Sequence, residues 1–391
     1  MPWRLLVPLF SAYFLIFLGP GAFQQFLMRY LREAVGLSGA APGAAWATVY
    51  IVMTGAAFLP ARVARRLDDR AAIALGASTY PLFLGLILWL RRPFVPFLAA
   101  ALWGVGAATL WVVSSLVVVE RSPEGRVGLL SGSLNAVARG GFAVGGVLLS
   151  QLIASHGIER ALEVAFLFGL AGALFAWAMP PFRGDHELPG PAGVARFLRL
   201  SSAKAGAFFQ FTAACSFGAL LGAFAEMVGS LHGVRWVGPV TSAYLVLSVV
   251  GAVFGGGMCD LLGVRAALTA AYGLGAVGVA LPLLGPSVPA MAAGSGLLGV
   301  LSGTVPTAIM VMVREEAREG ERMTAMVAFH IPRTSGMAAS ILFSGLLLGL
   351  EVAPGRILAC FGALFALCAL LSALFVKGRV TSSRPGPRSP R

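Results

Sequence analysis

Residues 236–285 read WVGPV TSAYLVLSVV GAVFGGGMCD LLGVRAALTA AYGLGAVGVA LPLLG. Two long apolar stretches, 236–259 and 266–285, are separated by a short break that carries Asp260 and Arg265. Each stretch has about the 20 apolar residues that an α-helix needs to cross a bilayer. The pattern predicts two membrane-spanning helices joined by a tight loop.

The composition extends this interpretation to the whole chain. Soluble domains are roughly 45–50% apolar and about 25% charged. This chain of 391 residues is 58% hydrophobic and 12% charged, with a mean hydropathy of +0.85. Because so few charges do not cover a water-exposed surface, the excess apolar surface must face lipid. We therefore predict an all-α, multi-pass protein of the inner (cytoplasmic) membrane.

Twelve apolar segments are long enough to span, six before and six after the longest polar break. They are 5–28, 43–61, 71–90, 94–118, 127–154, 160–181, 204–231, 236–259, 266–285, 287–313, 323–350 and 354–376. The predicted domains are a six-helix bundle over 1–181, a linker over 182–203, a second six-helix bundle over 204–377 and a disordered basic tail over 378–391.

The basic residues indicate the orientation. Most of the 29 Lys and Arg residues lie in the breaks on the side of the linker and both termini, which predicts that this side is cytoplasmic. An even number of spans agrees, since it puts both termini on one side. The net charge of +13 is spread over short clusters and not along one stripe, so it does not indicate nucleic-acid binding.

An internal repeat relates the two halves. An offset of 195 residues aligns 70–73 (RAAI) with 265–268 (RAAL), and also Glu120 with Glu315 and 124–125 with 319–320. Each match falls at the same point of its half. The chain is therefore expected to contain two pseudo-symmetric bundles, a common transporter design.

The loop 256–265 carries the pattern G-x-x-x-D-x-x-G-x-R. This pattern, with the twelve spans in two sixes and the central linker, resembles the major facilitator superfamily of secondary transporters. The resemblance covers the whole chain as topology and implies alternating access by rocking of the two halves. The corresponding first-half loop, residues 65–70 (RRLDDR), lacks the glycines.

The resemblance implies a gate on the cytoplasmic side. Asp260 would accept hydrogen bonds from a neighbouring helix or guanidinium, Arg265 would follow in the loop, and Gly263 would permit the turn. Asp69 and Arg70 are the nearest first-half equivalents. The alternative is that these are ordinary solvated charges at helix ends.

Ionisable residues within spans indicate function, because they are costly in lipid. Arg139 and Arg333 lie roughly 16–20 Å along their helices from the preceding loop arginines, near mid-membrane, at almost equivalent repeat positions. Asn135 and His330 share their helical faces. We predict a central anion-binding cavity. The alternative is two structural arginines bonded to carbonyls or a carboxylate.

Weaker candidates are the polar or aromatic residues Gln24, Gln25, Trp111 and Gln210, on helices that line the pore in this family. Each could equally pack or face lipid. Glu226 is the acidic residue farthest inside a span, and it could be a protonatable coupling site, an arginine partner or an interfacial charge.

These residues favour a secondary active or facilitative transporter of a small solute, with uptake of an organic anion ahead of export of amphipathic compounds. The alternative is a non-transporting sensor or assembly partner of the same fold. No nucleophile with a base and no pair of buried carboxylates suggests an enzyme. The four cysteines lack metal-site spacing, so we expect neither metal nor cofactor. The expected partners are the solute and the bilayer, with the chain a monomer.

Overall fold

The computed structural model describes residues 3–122, 127–183, 190–314 and 322–376, and all regular secondary structure in them is helical. The α-helices are α1 (Trp3–Ile16), α2 (Leu27–Glu33), α3 (Ala41–Gly55), α4 (Leu59–Arg66), α5 (Asp69–Trp89), α6 (Val95–Arg121), α7 (Val127–His156), α8 (Ile158–Trp177), α9 (Pro191–Phe197), α10 (Ser201–Ala219), α11 (Ala225–His232), α12 (Val237–Leu262), α13 (Val264–Leu284), α14 (Val288–Arg314), α15 (Arg322–Gly349) and α16 (Pro354–Phe375).

The first and seventh predicted spans are not uniform helices. A π-helical turn at Phe17–Gly21 and a 3-10 turn at Gln24–Phe26 separate α1 from α2, and a π-helical turn at Leu220–Phe224 separates α10 from α11. Pro20 lies inside the first of these turns. Proline removes a backbone donor from the helix ladder, which explains the local change of helix type.

Ten helical runs in the described residues are long and apolar enough to cross a membrane. The remaining two predicted segments correspond to α3 and α8. Helix α3 has 15 residues, because the chain turns before α4 begins at Leu59. Pro60 lies in the first turn of α4, a position that proline favours. The predicted continuous span 43–61 is therefore wrong in detail, whereas the all-α fold class is confirmed.

The linker contains a short helix that the sequence analysis did not predict. Helix α9 buries Val194 and Phe197, and the ring of Phe197 lies 5.9 Å from that of Phe329 on α15. Helix α10 begins at Ser201, three residues before the predicted bundle boundary. Residues 184–189 of the linker and the tail 378–391 lie outside the described residues.

Most helix packing occurs within one half of the chain. In the first half α1 packs on α7 and α8, α5 on α6 and α8, and α3 on α6. In the second half α14 packs on α10, α12 and α13, while α10 packs on α15 and α13 on α16. Extensive contacts between the halves are made by α3 with α15 and by α7 with α12.

The helix ends define two sides of the molecule. One side, on which α4 meets α5 and α12 meets α13, is called the linker side. There the amide of Asp69 donates to the carbonyl of Phe182 (3.2 Å). We call the far side the one on which α2 ends and α12 begins.

Candidate functional site

A cavity of about 750 Å³ lies between the two halves, within the 300–1,000 Å³ range of small-molecule sites. Its lining includes residues from α3, α6, α7, α10, α12, α14 and α15. Seven of the eight residues predicted to bind solute lie in this lining: Gln24, Trp111, Asn135, Arg139, Gln210, His330 and Arg333. The structure thus brings together side chains separated by about 300 residues in sequence.

Arg139 of α7 and Arg333 of α15 reach the cavity from opposite halves. They are close enough for their charges to interact. Among the described residues, neither guanidinium has a salt bridge, and no side-chain hydrogen bond involves either one. None of the described lining residues is Asp or Glu. Two cations therefore face the same space without a described carboxylate to balance them.

His330 and Asn135 accompany these arginines on the same helices. The Nε2 atom of His330 is buried and makes no hydrogen bond to a described residue. Asn135 is exposed, and its Nδ2 donates to the carbonyl of Ser131 in its own helix at 3.0 Å. Both side chains border the cavity, but neither is bonded to the adjacent arginine.

Gln24 and Gln25, adjacent in the chain, have different environments. Gln24 lines the cavity and accepts a hydrogen bond from the hydroxyl of Tyr50 (2.7 Å). Gln25 is absent from the described lining, and its Oε1 accepts a hydrogen bond from Thr241 on α12. The placement predicted for Gln25 is therefore wrong. Successive residues of a 3-10 turn point about 120° apart, so Gln24 and Gln25 face different neighbours.

Trp111 and Gln210 line the cavity from opposite halves. The indole of Trp111 packs edge-on against Tyr13 and Phe17, each at 5.4 Å between ring centroids. Gln210 is 5% exposed on α10. The rings of Tyr13 and Phe17 thus hold Trp111 in place, and Trp111 also borders the cavity.

Glycine contacts close the far side of the cavity. A Cβ atom added to Gly43 of α3 would lie 2.5 Å from the Cα of Gly345 on α15. A Cβ on Gly238 of α12 would collide with the carbonyl of Gly146 on α7. Small residues allow helix backbones to approach this closely. The two helix pairs that join the halves are therefore in direct backbone contact on this side.

The cavity is open toward the linker side. Its lining extends to Ala57 at the end of α3, Leu116 near the end of α6 and Val327 near the start of α15. Gly132, Asn135 and Met310, which also line it, are exposed. The structure is thus closed on the far side and open on the linker side.

Glu226 lies at this far-side closure and not in the described cavity lining. Its carboxylate accepts a hydrogen bond from the guanidinium of Arg32 at 2.6 Å, as an ion pair between the two halves. Of the three alternatives that the sequence left open, the structure places Glu226 as an arginine partner.

The predicted gating residues are dispersed at linker-side loops. Gly263 has φ 86° between α12 and α13, and Asp260 and Arg265 are exposed on either side of it. In the first half Arg70 lies over the ring of Trp177 at 5.8 Å, and Asp69 is 1% exposed. Both first-half residues therefore contact their own half.

Most of the aromatic residues that line the cavity could not be identified as site residues from the sequence. Phe17, Tyr80 and Trp103 line it from the first half, and Phe217 and Tyr244 from the second. Aromatic side chains are apolar like the other residues of a membrane span, so the sequence does not single them out. Of these residues, Phe17 begins the π-helical turn Phe17–Gly21. No group of His, Cys, Asp and Glu suited to a metal ion occurs in the described part of the chain.

Comparison with known proteins gives matches to both halves. Residues 205–391 match the family model of the Major Facilitator Superfamily. Residues 39–179 match the model described as ion channel regulatory protein UNC-93. No curated protein matches the chain.

Solved structures share the whole fold. The nucleoside transporter NupG aligns with a TM-score of 0.73 at 14% identity, covering 95% of this chain and 98% of that one. The human organic anion transporter MFSD10 (TETRAN) aligns at 0.65 and 18% identity, covering 95% and 100%. A bacterial homologue of the human lysosomal transporter Spinster, inward-facing and unoccupied, aligns at 0.66 and 15% identity, covering 95% and 94%.

The helical spans and the central cavity belong to a multi-pass fold that the chain shares with these solved transporters. Over residues 205–391, a little under half of the chain, the sequence also matches the major facilitator superfamily.

Proposed function

We propose that this protein moves a small organic anion across the cytoplasmic membrane by alternating access, with the linker side and both termini in the cytoplasm. The observation that carries the proposal is the pair of guanidinium groups, Arg139 and Arg333, in one cavity with no described carboxylate. Each arginine comes from a different half, so a single bound anion would contact both halves. That arrangement suits a carrier whose halves rock around its solute.

Charge and hydrogen bonding both favour an anion. A guanidinium offers a planar fork of donors that fits a carboxylate or phosphate. A structural arginine would be bonded to a carboxylate or carbonyls, and neither arginine has such a described partner. The similarity in fold to an organic anion transporter agrees with this proposal, although at 18% identity it supports only the fold.

The site is tested by measuring anion affinity in Arg139→Gln and Arg333→Gln. A charge-assisted hydrogen bond contributes about 1.5–3 kcal/mol, so each variant should bind the anion about ten- to a hundredfold more weakly. Lysine at either position should restore part of the affinity, since it keeps the charge without the fork. Calorimetric titration of the purified protein with a panel of organic anions gives the comparison.

The matched control is Arg356→Gln, because Arg356 is exposed at the start of α16 and outside the described lining. Its affinity should equal that of the unmodified protein. Unchanged affinity in both cavity variants, with a lower melting temperature, would assign the arginines a structural role and refute the proposed site.

The second candidate is a membrane regulator of this fold that transports nothing. The first-half match to an ion channel regulatory family favours it. A flux measurement distinguishes the two, since a regulator would bind without transport.

A further inference from the structure

Two guanidinium groups line the cavity, and none of its described lining residues carries a negative charge. Arg139 and Arg333 line the same cavity, and neither has a described ion-pair partner. Two like charges in a space partly shielded from water repel each other. A ligand with one negative charge would leave one cation unbalanced, whereas two negative charges would balance both. The arginine pair therefore favours a dianion.

The rest of the cavity offers flat aromatic surfaces. On the first-half wall Phe17 lies 5.4 Å from Trp111 and 6.2 Å from Tyr80, and Tyr80 lies 5.3 Å from Trp103, all as edge-to-face pairs. All four rings line the cavity. In each pair the edge of one ring meets the face of another, and every ring also has surface that borders the cavity. A ring of the ligand can contact that surface, and such ring pairs are favourable beyond simple burial.

The aromatic residues and the two arginines border the same cavity. Arg333, Tyr50 and Tyr244 all line the cavity. The ring of Phe217 lies 6.4 Å from Tyr50 and 6.3 Å from Tyr244. Since all of these residues line the same cavity, a ligand whose charges contact the arginines would place its body against rings.

We infer that the substrate class is an aromatic dianion, in which an acidic group or pair of groups with two charges is attached directly to a planar ring. This inference rests on the proposed function and narrows it. The cavity volume of about 750 Å³ accommodates a ring system with its acidic substituents.

Four probes separate charge from aromaticity in the full-length protein. Phthalate carries two carboxylates on an aromatic ring, and cis-1,2-cyclohexanedicarboxylate has the same two charges on a non-aromatic ring. Benzoate is aromatic with one charge, and benzamide is aromatic and neutral. Calorimetric titration at neutral pH should rank phthalate tightest, about tenfold or more ahead of benzoate and about two- to tenfold ahead of the cyclohexane diacid.

A variant tests the aromatic part separately. Trp111→Leu keeps an apolar side chain but removes the aromatic ring, so it should weaken the binding of phthalate more than that of the cyclohexane diacid and reduce the advantage of phthalate. Leu170→Ala, at an exposed site on α8 away from the described lining, should leave the whole ranking unchanged.

The outcomes distinguish this inference from the proposed function. Equal affinities for phthalate and benzoate, or for phthalate and the cyclohexane diacid, would overturn the aromatic dianion while anion binding stands. Binding of benzamide as tight as that of phthalate, or no binding of any of the anions, would overturn the anion site itself.

Discussion

At residue 263 the backbone has φ 86° and ψ 162°, a combination accessible essentially to glycine alone. Gly157 and Gly233 have nearly the same angles at two far-side helix junctions. In the first half Asp68 stands at the repeat position of Gly263. It is extended at φ −169° and caps α5 through its side chain, which accepts from the amide of Ala71. The two halves therefore make the same helix junction in different ways. The second half uses the backbone freedom of Gly263, and the first half uses the side chain of Asp68 to cap α5.

Replacing Gly263 should destabilise the protein. We expect Gly263→Ala to cost about 1–3 kcal/mol through backbone strain, measured as a lower melting temperature in detergent. The control Gly257→Ala lies within α12 with open space around its Cβ position, where alanine favours the helix by up to about 1 kcal/mol. Equal stability of the two variants would show that the strain is absent.

Some residues of the site could be predicted from the sequence, and others could not. Arg139 and Arg333 stood out because charges are rare in apolar spans, and the structure places both at the cavity. Their assignment as an anion site stays a prediction. Gln25 and Glu226 could not be placed, because the rotation of a helix and the choice of an ion-pair partner depend on packing that no local pattern encodes.

At the scale of elements, the halves meet through α3 with α15 and α7 with α12, at glycines on the far side. Twelve segments could be predicted because a span has a fixed apolar length. The π-helical turns and the break before α4 could not, since they depend on how the ladder adjusts around proline and neighbouring helices. Both π-helical turns lie in the corresponding first and seventh spans of the two halves.

Adding a methyl group where α3 contacts α15 should prevent these two helices from packing closely. Gly345→Ala places a Cβ 2.5 Å from Gly43, and overpacking typically costs about 1–3 kcal/mol. We expect a lower melting temperature and greater reactivity of a cysteine introduced at Ser242, whose hydroxyl bonds the carbonyl of Ala143 across the α7–α12 contact. Gly273→Ala, in open space on α13, is the control. Identical behaviour of the two variants would contradict the contact.

At the scale of the whole molecule, one ion pair among the described residues joins the halves on the closed side. Arg32 and Glu226 are 37% and 32% exposed in their side chains, so solvent weakens their attraction to roughly 0.2–1 kcal/mol. Such a pair is weak enough to break in each cycle of the alternating access that we propose. It biases the equilibrium toward far-side closure without locking it.

Glu226→Gln should shift this equilibrium toward far-side opening by up to about fivefold. The measurement is the labelling rate of the Ser242 cysteine by an impermeant reagent from the far side. Glu33→Gln is the matched control, since Glu33 pairs with Arg29 of the same helix at 2.7 Å and not across the halves. A labelling rate that rises equally in both variants would argue against a latch between the halves.

We propose that the arginine-lined cavity carries an anion from one side of the membrane to the other. Counterflow into proteoliposomes, with a panel of radiolabelled organic anions and their neutral amides, tests it most directly. We predict counterflow of at least one anion and of no amide, with Arg356→Gln as active as the unmodified protein and the double variant Arg139→Gln/Arg333→Gln inactive although folded. Binding of anions without any counterflow, or undiminished counterflow in the double variant, would contradict the claim.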